Sequence, residues 1–163
     1  MCNKKSSFRY GFIRKEVPSI KTYDDTDDVN ALPLFDVEDF SSYAPRVESM
    51  ITHVLPINVS DERYSQIIIS TLFFMTIYLN TFENAEVVER SPRNMSVLLT
   101  ACFIYTLRKI YDLKPSSNIM EQLLNLNNVQ ASNEVLNGLK HVFLFLGRIN
   151  ALQHYRQYYD IIN

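Results

Sequence analysis

Between residues 41 and 149 the apolar positions fall into runs with helical spacing, and the breakers between the runs mark off five elements. Tyr43, Val47, Met50, Ile51 and Val54 recur three or four apart, which predicts a first helix over 42–55. Pro45 is tolerable there because it falls in the first turn, and Pro56 ends the element. Ser60, with Asp61 and Glu62 behind it, reads as the N-terminus of a second helix whose apolar run covers 64–82. Ile67, Ile68, Ile69, Leu72, Phe73, Phe74, Met75, Ile77, Tyr78 and Leu79 leave that helix almost no polar side. The β-branched triplet favours a strand, but nearly twenty residues without Gly or Pro are too many for one.

The third element has the clearest signature. Ser91 serves as N-cap and Pro92 occupies the first helical position, where its missing N–H costs nothing. From Met95 to Tyr111 apolar residues cover every side, so the helix must be buried all round. It is about five turns long and closes with Arg108, Lys109 and Asp112, too short and too polar for the roughly 20 apolar residues of a membrane span. A fourth, shorter helix follows over 118–126. A fifth opens at Ser132–Glu134 and runs through Leu136, Leu139, Val142, Phe143, Leu144, Phe145 and Leu146, with Gly147 as its C-cap. Residues 150–163 predict a short amphipathic helix that uses Leu152, Tyr155, Tyr159 and Ile162.

Residues 1–40 have a different character. Lys4, Lys5, Arg9, Arg14 and Lys15 are followed by Asp24, Asp25, Asp27 and Asp28, with Pro18 and Pro33 between apolar residues too sparse for a core. An extended tail is expected, either a solvated leader or a docking arm anchored by Phe8, Tyr10, Phe12 and Ile13. No apolar run followed by a small-residue cleavage site stands in the first thirty residues, so no secretory signal is expected. The sequons at Asn58 and Asn94 are then expected to stay unmodified. Cys2 sits beside two lysines, but no glycine follows the initiator methionine to take a myristoyl group.

A formal net charge of −2 argues against a non-specific nucleic-acid binder, which needs a basic surface. Two cysteines support neither a disulfide framework nor a zinc site, and a reducing cytoplasmic or nuclear setting fits best. His53, His141 and His154 have no second ligand at metal-binding spacing. Cys102 lies among aliphatic and aromatic residues, where a thiol is neutral and inert. Three glycines make no phosphate-binding loop, no GxSxG or HExxH pattern occurs, and the Asp24–Asp28 cluster lacks the glycine and terminal glutamate of a calcium loop. The expectation is therefore a non-enzymatic chain that takes no metal, cofactor or small-molecule substrate and acts by binding protein.

The order of the elements resembles the cyclin box, in particular that of the small single-box P/U-type cyclins of fungi and protists. Tyr43-Ala44-Pro45-Arg46-Val47, with Ile51 after it, is similar to the family's Y-x-x-R-I start. Ile77-Tyr78-Leu79-Asn80 is similar to its I-Y-I-D. Val97-Leu98-Leu99-Thr100-Ala101, Arg108-Lys109, Asp112 and Ser117-Asn118 follow its R-L-L-x-x-A, K-F-x-D-D and S-N. Leu136-Asn137-Gly138-Leu139-Lys140, ahead of Phe143-Leu144-Phe145-Leu146, follows its E-L-N-x-L-E and F-L. The resemblance implies an all-α, single five-helix domain over 41–149 with the third helix buried at the centre, preceded by the tail and followed by the short helix over 150–163. It implies a regulatory subunit that binds a cyclin-dependent protein kinase through the third and fifth helices and positions the kinase helix whose glutamate pairs with the catalytic lysine. Arg46 becomes the structural arginine of the first helix, paired with Asn80 where the family has aspartate. Arg108 or Lys109 becomes the basic residue that faces the kinase. The family's fifth-helix glutamate falls on Lys140, and the acid opening that motif falls on Val135, with Glu134 beside it as a substitute. A charge reversal at an interface requires a partner changed to match, or a cyclin-like scaffold that activates no kinase. A helical interaction domain of another kind, such as a Bcl-2-like bundle with an open groove, is the alternative. Arg108, Lys109 and Lys140 as plain solvated helix ends are the simplest reading of those three cations.

Overall fold

The structure, a computed structural model, describes residues 37–56, 60–81 and 89–162. The expected tail up to residue 36, the Asn58 sequon and the connection over 82–88 lie outside the described residues. All regular elements among the described residues are helical: a short 3-10 helix Val37–Tyr43, then α1 (Ala44–Val54), α2 (Glu62–Asn80), α3 (Pro92–Ile110), α4 (Ser117–Leu126), α5 (Asn133–Arg148) and α6 (Ala151–Ile162).

Local chemistry sets the helix starts. Ser91, Ser116 and Ser132 each accept a hydrogen bond from the backbone N–H three residues on, at 3.2 Å in all three cases. Asp61 caps α2, accepting from Arg63 N at 2.9 Å, so the cap lies one residue later than the serine expected from the sequence. Both residue types cap well, and the carboxylate also holds the Arg63 guanidinium at 2.8 Å, which a hydroxyl could not do. At the other end of the chain Gly147 lies inside α5, and Ile149 is its C-cap. The left-handed residue expected of Gly147 is Asn150, with φ 57°, a conformation that asparagine tolerates better than most residues.

The core is built on two helices. Asn94 to Leu107 of α3 are buried without interruption, and so are Ser70 to Leu79 of α2. α3 packs against α2, α4 and α5, while α2 packs against α1, α3, α5, α6 and the 3-10 helix. α6 belongs to the same core. Tyr155 is buried with its ring 5.5 Å from Phe73 and 5.6 Å from Phe74, and Tyr158 stacks 5.0 Å from Phe73. Phe74 in turn meets Tyr105 of α3 edge-on at 5.0 Å. Among the described residues no helix is long and apolar enough to cross a membrane.

The Asp61 cap makes a testable contribution to acid stability. Its hydrogen bonds from the Arg63 side chain and backbone lower its pKa from 3.8 to about 2. A carboxylate depressed in the folded state adds stability that is full above its unfolded value and is lost as the pH falls through the folded one. Asp61→Asn keeps a capping oxygen but cannot ionise. Thermal unfolding should therefore show the wild type above Asp61→Asn at neutral pH, with the gap closing between pH 3.8 and about 2. A gap that does not change with pH would sink this assignment.

Candidate functional site

Two polar arrangements stand out against the apolar framework, one inside and one on the surface. The inner one begins at Arg46. From α1 its Nε donates to Asn127 Oδ1 at 3.0 Å and its Nη2 donates to Ser96 Oγ at 2.6 Å, while its Cζ lies 5.5 Å from the Tyr43 ring centre. Asn127 is 3% exposed, just past the end of α4. Its Nδ2 donates to Leu123 O at 3.0 Å and Thr100 Oγ1 at 3.1 Å and lies 3.4 Å from Met50 Sδ. Thr100 Oγ1 passes its own proton to Ser96 O at 2.9 Å. One residue thus ties α1, α3 and α4 together, and the expected Arg46–Asn80 pair is replaced. Asn80 ends α2, and among the described residues the acceptors of the guanidinium are Asn127 and Ser96. Chain position alone does not reveal a partner 81 residues away.

The surface arrangement lies where the C-terminal end of α3 meets α5. Arg108 places its guanidinium carbon 5.4 Å over the Phe143 ring, and Lys109 places its ammonium 6.0 Å over Tyr105. The two rings are 6.3 Å apart. Burial pushes the Tyr105 phenol up to about 12, so the ring is a neutral surface for the cation and not a phenolate. Beside Phe143, the solvent face of α5 carries Leu136, Lys140 and Leu144, each four residues from the next and so in line. Leu136 is 40% exposed and Leu144 69%. Arg108 and Lys109 thus lie at the end of α3 over rings that meet each other, and Lys140 stands on the exposed side of α5 between two leucines, with Asn133 and Asn137 also exposed there.

Glu134 does not join them. It lies in the first turn of α5, 4.0 Å from Arg93 at the start of α3, whereas Arg108 is about 22 Å further along α3 at 1.5 Å per residue. The two contacts also show that α3 and α5 run in the same direction. Sequence reasoning named Leu136 and Leu144 only as apolar positions of the fifth helix, and their phase with Lys140 was the signal that they share its solvent face. Cys102 is a free, buried thiol whose burial pushes its pKa well above the ordinary value. Among the described residues no group of three or more His, Cys, Asp or Glu side chains stands where it could hold a metal ion.

Among the described residues the fold is all-α, and α5 exposes two leucines with a lysine between them. Comparison with known proteins finds no family model, no curated protein and no solved structure that matches the chain.

The inner network separates the two possible partners of Arg46. Asn127→Ala removes one of the guanidinium's two acceptors and leaves buried polar atoms unmatched, which costs about 1–3 kcal/mol. Asn80→Ala, at a half-buried helix end, should cost less than about 0.5 kcal/mol, in the range of ordinary surface changes. Urea unfolding midpoints of the two variants provide the comparison, and an equal or reversed order would contradict the network.

Proposed function

We propose that the chain is a cyclin-like regulatory subunit, which binds a protein kinase of the cyclin-dependent class through the exposed face formed by α5 and the end of α3. The observation that carries the reading is that face itself. Leu136 and Leu144 are exposed on a helix whose opposite side is buried, Lys140 lies between them, and Arg108 reaches the same helix over Phe143. An exposed apolar patch rimmed by charge is the usual mark of a protein-binding surface. It lies on the two elements through which the family resemblance expects a kinase helix to dock. Docking there would hold the kinase's activating helix inward, a population shift driven by contacts made only in the active arrangement. Lys140 also favours a second reading, a helical scaffold that binds a partner helix without activating a kinase. A cation at that position suits a partner with a carboxylate opposite.

Affinity purification of the tagged chain from its own cells, with kinase assay of the eluate, tests the proposal. Leu144→Glu and Lys140→Glu serve as parallel baits. Leu144 is so exposed that its replacement leaves the core untouched, yet a charge buried in the docked interface should reduce kinase recovery at least tenfold. Lys140→Glu should change recovery or activity in the same assay. An active kinase recovered equally by all three baits would remove this face from the interface. The absence of any kinase from the wild-type eluate would remove the kinase reading.

A further inference from the structure

Gly147 has no evident role within its own chain. It sits in the last turn of α5 with no positive φ, so its backbone does not require glycine, and a Cβ built on it meets nothing within 4 Å. Glycine is a poor helix former, so its presence is not explained by helix stability either. What its missing side chain leaves open is a cleft of ≈370 Å³. The walls are Tyr105 and Lys109 from α3, Asn150 from the α5–α6 turn, and Gln153 and Arg156 from α6. Among the described residues its lining holds two cations and two side-chain amides beside Leu152, and no carboxylate. The cleft is a direct extension of the exposed apolar stripe, since Gly147 lies three residues beyond Leu144 on the same side of α5.

We infer that this cleft receives an anionic side chain, a carboxylate or phosphomonoester, from the polypeptide that lies along Leu136 and Leu144. Lys109 and Arg156 supply the charge, and the arginine can grip either group with two parallel hydrogen bonds. Gln153 and Asn150 supply amide donors beside them. The apolar stripe leading into the cleft selects a peptide over a free ion, because a small anion alone would gain nothing from the leucines. The inference rests on α5 being the docking face, and not on the partner being a kinase.

Amide NMR titrations of the full chain with phenyl phosphate, benzoate and neutral benzyl alcohol, at constant ionic strength, test it. The two anions should shift Lys109, Gly147, Gln153 and Arg156, and benzyl alcohol should not. The stronger of the two anions identifies the natural group. Gly147→Leu, whose Cβ has no atom within 4 Å in the isolated fold, should weaken anion binding at least tenfold without lowering the thermal midpoint. Arg156→Gln should weaken it without filling the cleft. Leu144→Glu should leave phenyl phosphate binding in place while abolishing partner capture, so that loss of capture with an intact cleft reports on the stripe and not on the anion site. Shifts spread evenly over all exposed lysines, or unchanged binding by Gly147→Leu, would overturn the inference.

Discussion

Two adjacent helices without a solvent face impose the architecture. Four turns of α3 are buried on every side, as are nearly three of α2. An element in that position needs neighbours in all directions, and α1, α4, α5, α6 and the 3-10 helix are what supplies them. The energetics favour this solution by a wide margin. Full burial of a large apolar side chain is worth about 1.5–3 kcal/mol, whereas the helix penalty of a β-branched residue relative to alanine is at most about 0.7 kcal/mol. Ile67, Ile68 and Ile69 are therefore helical because Phe73, Phe74, Tyr78 and their neighbours must be buried together. Three of the hydroxyls that this burial carries inward are satisfied at short range: Ser70 donates to Ile67 O, Thr76 to Leu72 O and Thr100 to Ser96 O.

Such a core is adhesive without being specific, and the Arg46 network supplies what apolar contact does not. An apolar stripe on α1 holding Val47, Met50 and Ile51 would fit several positions along α2. Arg46, Asn127, Ser96 and Thr100 admit only one, because a displacement of one turn leaves a guanidinium and a buried amide without partners. The same network ends α4, since Asn127 Nδ2 donates back to Leu123 O in its last turn. Arg46 fixes this register through Asn127 and Ser96.

The helices were legible in the sequence where their signals are local. Serine caps, Pro92 in the first turn and uninterrupted apolar runs depend on residues within one or two turns of each other, and those elements appear within a few residues of expectation. The features that were not legible depend on distant neighbours. Asn127 becomes the partner of Arg46 only once α1 and α4 are brought together across α3, and no periodicity encodes that. Gly147 and Asn150 compete for one role three residues apart. The outcome depends on where α6 must start in order to place Tyr155 against Phe73, which is a tertiary requirement.

The surface of α5 shows a further limit of local reading, and also its significance. Leu113 and Leu126 are exposed too, at 41% and 43%, but each stands alone near a helix end, as scattered surface leucines commonly do. Leu136 and Leu144 differ because they are in phase on one helix, with Lys140 between them and an open glycine beyond. The buried side of α5, with Val135, Leu139, Val142 and Leu146, already meets the needs of the fold. Leucine at 69% exposure, as at Leu144, adds little to the stability of the isolated chain, and lysine or glutamate would serve better there for solubility. On the proposed reading a partner surface covers that face and accounts for its apolar character, and the cations of α3 and α6 around its far end set the charge which that surface would carry.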